Sequence, residues 1–570
     1  MKIALLQLNS RLGNPELNGS LLERAYAEAV RGGAELVLSA ELAVPGYLAE
    51  DRLWEPGLWK RVEAESRRLA GLSGAVPFIF GTHSPAPSWR LFNELWWCQD
   101  GGLRQVIRKR VLPAYDVFDE GRYFEPDPGP QPLVEYGAHR VGLSICEDLW
   151  ADPSLTAGLC RYGVDPIEDL ASSGASLLLN ASASPGHLGS YLPPGRSAAW
   201  ATPSKIQQRR RLLQGLAARH GKPLVYASRV GAESWLLFDG GSGLAQPDGS
   251  WQGGTPFHEG IVWVDTEAAG SAWTPEPAEA DYLLGALTMG LKDNLIKQGL
   301  EAVTVGLSGG IDSAVVAAMA AKALGPDKVL GVALPTRYSS AESLGLAQEQ
   351  ARHLGIHALC LDAEAPFEGA VASLSAQWPG RNFSLTDENL QSRSRGMLLM
   401  ALTTEPAVQD LLQTSRIAVL NTGNKSEAAT GYFTLYGDGI GAFGILGDCL
   451  KGRVYALARA LGPAIPAGVL HRKPTAELAP GQTDEASLAP YRQLDAILGI
   501  LLEAQVAEEE VAERLADVLD RADLDEARSH LPRILRLLRT TEFKRRQLPF
   551  NLKVSPKAFG HGRRIPLTAT

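Results

Sequence analysis

Cysteine is scarce and scattered. The five in 570 residues (Cys98, Cys146, Cys160, Cys360 and Cys449) are odd in number, widely spaced and never arranged as C-x-x-C. That argues against a disulfide framework or a zinc site and points to a reducing compartment, the cytoplasm. Excess positive charge is missing too. The net charge is −9 and the pI about 5.7, which leaves no electrostatic footprint for nucleic acid. Short basic runs such as Arg209–Arg211 and Lys544–Arg546 are the pattern of solvated helix faces. No uninterrupted apolar run reaches the ~18 residues of a membrane span. Met1–Asn9 alternates like a strand and has neither the apolar core nor the small-residue cleavage site of a secretory leader. A soluble cytoplasmic protein is expected. No internal repeat is evident.

What is present is ordinary globular composition, 45% hydrophobic and 21% charged, in a chain long enough for roughly two to five domains. Residues 266–279 lose periodicity and gain Pro, Gly and Glu, the composition of a linker, with a boundary near residue 275. On both sides strand-like and helix-like stretches alternate, so both halves read as α/β. Strands are expected at Ile3–Leu8, Leu36–Ser39, Phe78–Gly81, Val141–Ile145, Leu177–Leu179, Leu224–Ala227 and Ile261–Val264. Helices are expected over 16–31, 59–72 and 204–220.

Three strand ends of the first half carry candidate chemistry. Glu41 follows Leu36–Ser39, Lys109 stands in Arg108-Lys-Arg-Val-Leu-Pro-Ala-Tyr-Asp-Val-Phe-Asp-Glu120, and Cys146 follows Val141–Ile145. A thiolate can attack an amide carbon, a carboxylate can shuttle the proton and an ammonium can stabilise the oxyanion. Each residue alone has a plainer reading: a buried cysteine, a turn glutamate, one charge of a basic patch. Together, in these flanking strings, they resemble the nitrilase (carbon–nitrogen hydrolase) superfamily. The resemblance implies Glu41 as base, Lys109 as the lysine and Cys146 as nucleophile. It also implies that Tyr115 and Glu120 line and support the pocket, and that Ser184 helps hold the amino-acid end of glutamine. That superfamily's glutamine-dependent synthetase branch runs from Ser-Pro-x-x-x-Gly-Lys directly into a helix. Here about fifteen residues, Ser190–Ser204, intervene, and Lys205 takes the lysine's place at the helix start. Gly231-Ala-Glu-Ser-Trp also departs from the branch's usual Gly-Gly-x-Asp-Glu.

The second half is built around Gly306-Leu-Ser-Gly-Gly-Ile-Asp-Ser313, between a β-branched run (Ala302–Leu307) and an Ala/Val-rich segment stopped by Gly325-Pro326. Strand, glycine turn and helix start make an anion site of backbone N–H groups and helix dipole. The spacing is not G-x-x-x-x-G-K-[ST], so this is no Walker loop. Its hydroxyls and Asp312 suit a pyrophosphate and Mg²⁺. The string resembles the pyrophosphate loop of ATP-pyrophosphatases, enzymes that adenylate a carboxylate or carbonyl and let ammonia displace AMP. Further strings follow: Thr386–Gly396, with Asn389 and Arg393 on one helix face; Asn421-Thr-Gly-Asn-Lys-Ser-Glu427 after a strand at Ile417–Leu420; Gly431–Asp438; the acidic loop Pro474–Glu485; and Thr541-Glu-Phe-Lys-Arg-Arg546. Residues 495–540 read as a charged helical hairpin.

In that order and spacing, joined to the nitrilase-like half, these strings resemble the glutamine-dependent NAD⁺ synthetase family over nearly the whole chain. The expected architecture is α/β. A nitrilase-like α-β-β-α sandwich occupies 1–270, and a Rossmann-like doubly wound parallel sheet of the ATP-pyrophosphatase kind occupies 271–570. The resemblance implies a carbon–nitrogen ligase that amidates nicotinic acid adenine dinucleotide to NAD⁺ with ATP, Mg²⁺ and glutamine-derived ammonia. It implies ATP contacts at Gly306, Leu307, Ser308, Gly309, Gly310, Ile311, Asp312, Ser313 and Thr422, and Mg²⁺ at Asp312 and Glu427. Dinucleotide contacts fall at Asn389, Glu427, Asp438 and Lys544. A homo-oligomer assembled through the synthetase half and an enclosed ammonia route are further implications. Two other readings stay open. Another glutamine-fed adenylating synthetase fares badly, because Lys2 and not cysteine stands at position 2 and Cys146 lacks a G-x-C-x-G elbow. An amidase carrying a nucleotide-sensing module would release no pyrophosphate.

Overall fold

The computed structural model describes residues 1–156, 162–273, 275–475, 477–479 and 488–568. The chain divides into two units, Met1–Gly186 with Ser204–Glu276, and His187–Pro203 with Pro277–Thr570. The linker composition points to a boundary near residue 275, with expected halves 1–270 and 271–570. Here it falls at 276/277, and residues 187–203 group with the second unit although the first unit flanks them on both sides.

In the first unit, one six-stranded sheet has the order β14-β1-β2-β3-β4-β5 and a second the order β13-β12-β9-β8-β7-β6. The first comprises β1 (Lys2–Gln7), β2 (Leu36–Ser39), β3 (Phe78–Pro85), β4 (Leu91–Gln99), β5 (Gly102–Arg108) and β14 (Gly260–Asp265). The second comprises β6 (Val134–Tyr136), β7 (His139–Ile145), β8 (Leu177–Ser182), β9 (Leu224–Ser228), β12 (Gly243–Ala245) and β13 (Trp251–Gly253). A separate hairpin joins β10 (Val230–Glu233) to β11 (Leu236–Asp239). Alternation sorts the side chains. Ile3 and Leu5 join Leu143, Ile145, Leu179 and Val225 in a core between the sheets, whereas Ala4 and Leu6 turn to a second core with Leu22 and Leu69. Leu22 lies on α1 (Pro15–Arg31) and Leu69 on α2 (Pro56–Leu72), which cover the first sheet. Helices α3 (Pro166–Ser172) and α4 (Lys205–His220) cover the second through Leu170, Leu212 and Leu216. The unit is therefore an α-β-β-α sandwich.

The second unit holds a parallel sheet in the order β17-β16-β15-β18-β19. Its strands are β15 (Ala302–Gly306), β16 (Val329–Ala333), β17 (His357–Cys360), β18 (Ile417–Asn421) and β19 (Phe443–Gly444). The chain winds outward from β15 in one direction, then returns to β18 on its other side. Sites form where strand order reverses in this way. Helices α5 (Glu279–Lys297), α6 (Ile311–Leu324), α7 (Ala341–Leu354), α8 (Glu364–Gln377), α9 (Leu385–Leu402) and α10 (Pro406–Leu412) connect them, with α11 (Lys425–Thr430) after β18 and α12 (Lys451–Ala460) after β19. Residues 495–540, expected as a hairpin, are part of a longer run: a helix at Tyr491–Leu498, a π-helical turn at Gly499–Glu503, and helices at Glu508–Val518 and Arg521–Thr540. No helix among the described residues is long and apolar enough to cross a membrane.

Candidate active sites

In the first unit the backbone bends sharply at two of the three strand ends. Leu42, after Glu41, has φ +46°, and Cys146 itself has φ +45°. Such angles are uncommon for residues with a Cβ. Gly81 on β3 makes room for the first bend: a Cβ there would stand 2.3 Å from Leu42 N and 2.4 Å from Ala40 O. Asp148 ties the second bend to the lysine segment. Its carboxylate accepts from Ile145 N at 2.9 Å, Arg110 N at 3.1 Å and Val111 N at 3.0 Å.

The charged groups then interlock. Lys109 Nζ donates to Glu41 Oε1 at 2.7 Å and to both Glu120 oxygens at 2.9 and 2.7 Å. Glu41 also accepts from Asn93 Nδ2 at 2.7 Å and Ala183 N at 2.9 Å, while Tyr47 donates to Glu120 at 2.7 Å. All three charged side chains are fully buried. Burial opposes the Lys109 charge, but Glu120 and Glu41 outweigh it and hold its pKa well above the ordinary lysine value. Burial pushes Glu120 up to about 7 against the pull of Lys109. Cys146 is driven well above a normal thiol by burial and then by the Glu41 carboxylate, with Lys109 opposing. Its resting form is the thiol, so nucleophilic attack requires a proton acceptor inside the site.

The glutamine-site candidates gather around the same bends. Ser184 follows the residue whose N–H reaches Glu41. Tyr115 donates to Glu147, the neighbour of Cys146, at 3.2 Å, and Tyr162 donates to it at 2.8 Å. Lys205, first residue of α4, places its ammonium 3.8 Å from the centre of the Trp150 ring, in the turn that Cys146 opens. Glu233, in the departing Gly231–Trp235 string, pairs with the buried Arg229 at 3.2 Å.

In the second unit the Gly306–Ser313 loop leaves β15 beside the loop after β18, at the reversal of strand order. Gly309 has φ +72°, and a Cβ there would lie 2.5 Å from Ser343 O, so no other residue fits. Gly310 precedes α6 and offers no capping side chain, which leaves the helix start to a ligand. Gly310 N donates to Ser308 Oγ, and Ser308 N to Ser313 Oγ, folding the hydroxyls into the turn. Leu307 and Ile311 are buried, so their side chains anchor the loop and only their backbone can serve a ligand. Asp312 accepts from Asn424 Nδ2 at 2.9 Å and from Lys451 Nζ at 2.5 Å, and Lys451 stands 3.7 Å from Glu427. Asn424 and Glu427 also cap α11 reciprocally. Thr422 lies between Asn421, whose side chain fixes Gly423 N, and this cap.

The dinucleotide candidates gather at the Gly431–Asp438 segment. Thr434 Oγ1 donates to Asn389 at 2.8 Å, Asp438 accepts from Thr434 N at 2.8 Å and Ser392 Oγ at 2.7 Å, and Lys544 donates to Gly431 O and Phe433 O at 2.8 and 2.7 Å. Glu427 touches the segment through its carbonyl, which accepts from Tyr432 N at 3.0 Å, and its carboxylate stands 3.7 Å from Lys451 Nζ. Of the acidic loop, Ala476 and Pro480–Glu485 lie outside the described residues. Its remainder bonds Glu477 to Arg472 and Ser343, and Arg472 reaches Ser308 O at 3.4 Å.

The described residues contain no group of three or more His, Cys, Asp or Glu able to hold a metal. Two carboxylates facing one ammonium still fit Mg²⁺, which is usually held by one or two carboxylates together with substrate phosphates and water. Lys451, Asp148 and Glu147 escaped the reading of the sequence. Lys451 lies in no glycine-loop string. Asp148 and Glu147 stand beside Cys146, but nothing local gives them partners 37 and 32 positions away.

A carbon–nitrogen hydrolase family model matches residues 2–272, and an NAD synthase model matches residues 283–548. A glutamine-dependent NAD(+) synthetase of Synechocystis sp. is 36% identical over 99% of this chain and 98% of its own. The chain belongs to the glutamine-dependent NAD⁺ synthetase family. The family's Thermotoga maritima member is 33% identical over 100% of this chain and 98% of its own. Among solved structures, the Acinetobacter baumannii member in complex with adenosine diphosphate superimposes with a TM-score of 0.73 at 29% identity, covering 99% of this chain and 98% of that one.

Proposed function

We propose that the chain amidates nicotinic acid adenine dinucleotide to NAD⁺, using ATP and the amide nitrogen of glutamine and yielding glutamate, AMP and pyrophosphate. The observation that carries this reading is one chain holding both halves of the chemistry in one family's order. A buried Glu41–Lys109–Glu120 set stands with an elbow cysteine, and a serine–glycine loop faces Asn424 and Lys451.

In the first unit Cys146 Sγ attacks the glutamine amide carbon while its proton passes to Glu41. The oxyanion is stabilised by the Lys109 ammonium. Collapse breaks the C–N bond, Glu41 returns the proton to the leaving nitrogen, and ammonia departs from a thioester. Water, deprotonated by Glu41, then releases glutamate and restores the thiol. Glu120 keeps Lys109 charged, and Tyr115, Ser184 and Lys205 hold the amino-acid end.

In the second unit the nicotinate carboxylate attacks the α-phosphorus of ATP, and pyrophosphate leaves into the Gly306–Ser313 loop and Thr422. Mg²⁺ held by Asp312 and Glu427 would neutralise phosphate charge. Asn389, Asp438 and Lys544 position the dinucleotide, and ammonia displaces AMP. Assembly into homo-oligomers uses the second unit. Supporting this, Phe367 is the one buried residue of α8, and Trp378, Phe383, Leu385, Met397 and Met400 are exposed on and beside α8 and α9. The dispersed cysteines support a reducing compartment, the cytoplasm.

The test is NAD⁺ formation from the deamido dinucleotide and ATP–Mg²⁺ with glutamine or with ammonium chloride. The native protein should use both, and Cys146→Ala only ammonia. Glutamine use by the variant would sink the nucleophile assignment. Pyrophosphate release with some other acid in place of the dinucleotide would sink the substrate.

A further inference from the structure

The segment absent from the family's usual spacing is built into the second unit in detail. Ser190 and Thr202 close it into a loop, Ser190 N donating to Thr202 O at 2.9 Å and Thr202 N to Ser190 Oγ at 3.0 Å. Tyr191, at its head, shares an apolar core with Ala428 and Ala429 of α11 and with Leu450. Its N–H donates to Glu503 Oε2 at 2.7 Å.

Glu503 is a fully buried carboxylate gripping two fully buried cations. Lys425 donates to it at 2.7 Å, and the Arg453 guanidinium at 2.9 and 3.1 Å. Arg453 also reaches back to Gly189 O at 2.7 Å, with its guanidinium carbon 5.6 Å from the centre of the Tyr191 ring. The Tyr191 ring presses on Gly452 so closely that a Cβ there would lie 2.0 Å from the phenol oxygen and 2.7 Å from Cζ. The segment therefore clamps Gly452 and Arg453 from one side. The residue before them is Lys451, whose ammonium bonds Asp312 and whose N–H donates to Ser426 Oγ at 3.0 Å. Ser426 Oγ in turn donates to Asp495, which also accepts from Gly452 N at 2.7 Å.

We propose that residues 187–203 are a positioning strap for the pyrophosphate side of the synthetase site. Tyr191 against Gly452, and Glu503 on Arg453 and Lys425, fix the turn from which Lys451 reaches between Asp312 and Glu427. This rests on the reading that the second unit adenylates with ATP. A lysine side chain is a long flexible stem, so where its ammonium arrives depends on where its backbone is held. Loosening the strap spreads Lys451 over several positions. Binding of the phosphates weakens, while Asn389, Asp438 and Lys544 keep their bonds at Thr434, Ser392, Gly431 and Phe433, none of which runs through Lys451.

The experiment uses the full chain with ammonium chloride as nitrogen source, so that glutamine hydrolysis plays no part. KM for ATP and KM for the deamido dinucleotide are measured for Gly452→Ala, Tyr191→Ala and the double variant. Arg196→Ala, on the exposed rim of the strap, is the control. Gly452 lies in the first turn of a helix, where alanine suits the backbone, so Tyr191 is the obstacle. We expect each single variant to raise KM for ATP about fivefold or more and KM for the dinucleotide less than twofold. The double variant should be no worse than the poorer single, because both act through one contact. Arg196→Ala should match the native protein. An unchanged KM for ATP in Tyr191→Ala overturns the proposal, as do multiplying effects in the double variant or equal rises in both KM values. Should Gly452→Ala fail to fold, the KM split in Tyr191→Ala decides alone. A native protein that makes no NAD⁺ with ammonia would instead remove the reading on which the strap rests.

Discussion

The two candidate sites handle charge in opposite ways. In the first unit Glu41, Lys109 and Glu120 are fully buried and spend their hydrogen bonds largely on one another. In the second, Asp312 and Glu427 are each 18% exposed, and the loop presents backbone and hydroxyl groups at a helix start. A pre-assembled, dry set suits proton transfer to and from a neutral amide, where solvation of the ions would have to be undone at each turnover. A more exposed set suits ATP, which brings its own charge and metal. On the proposed chemistry, catalytic and structural roles coincide in the first site and are separable in the second.

Three substitutions would break or sharpen that contrast. The largest effect is expected from Glu41→Gln. Glutamine-driven NAD⁺ synthesis should fall by about 10²–10⁴, the range of general acid–base catalysis, with ammonia-driven synthesis within twofold. The same change disturbs a buried hydrogen-bonded set and should destabilise the first unit by about 1–3 kcal/mol in chemical denaturation. A stable Glu41→Gln protein would show that the two roles are separable there as well. Asp312→Asn should lower synthesis from both nitrogen sources by about 10²–10³, as loss of one charge-stabilising group does. Stability should fall by less than in Glu41→Gln, because Asp312 is partly exposed and Lys451 still faces Glu427.

The smallest effect concerns pH. Burial raises Asp495 from 3.8 to about 6, with Ser426 and Gly452 opposing. A carboxyl whose folded pKa is raised contributes stability that is full below its unfolded value and is lost as pH rises through the folded one. Relative to Asp495→Asn, native stability should therefore decline by about 1–3 kcal/mol between pH ~4 and ~6 and stay level above. Denaturant titrations at a series of pH values measure this. A difference that does not vary with pH would mean that Asp495 titrates normally.

How far the sequence could be read follows the range of each interaction. β2, β7 and β15, with Glu41, Cys146 and Asp312 at or near their ends, show as apolar runs followed by marked turns, since strand, bend and chemistry are contiguous. The β4–β5 hairpin leaves no such mark in the sequence. β5, Gly-Leu-Arg-Gln-Val-Ile-Arg, is an edge strand with one buried residue, so it lacks the apolar run that marks a central strand. Lys451 and Glu503 carry no local signal, because Asp312 lies 139 positions from Lys451, and Tyr191 lies 312 from Glu503. The Pro-, Ser- and Ala-rich stretch after Ser190 was legible as extra chain beside the glutamine pocket. Nothing local tells which core Tyr191 will enter.

That stretch also bears on whether the protein can be divided. A cut at the linker near residue 276 looks like a clean separation of two enzymes. It would instead leave the amino-terminal fragment carrying Tyr191 and Trp200 away from the core they occupy, and the carboxy-terminal fragment with Glu503 missing a donor. The amino-terminal fragment keeps its whole unit but carries the strap with no core to enter, and the carboxy-terminal fragment lacks part of its own unit. Two genes could encode the two halves only if the strap's place in the second were first filled from that half's own sequence, so the fusion is written into the packing as well as into the reading frame.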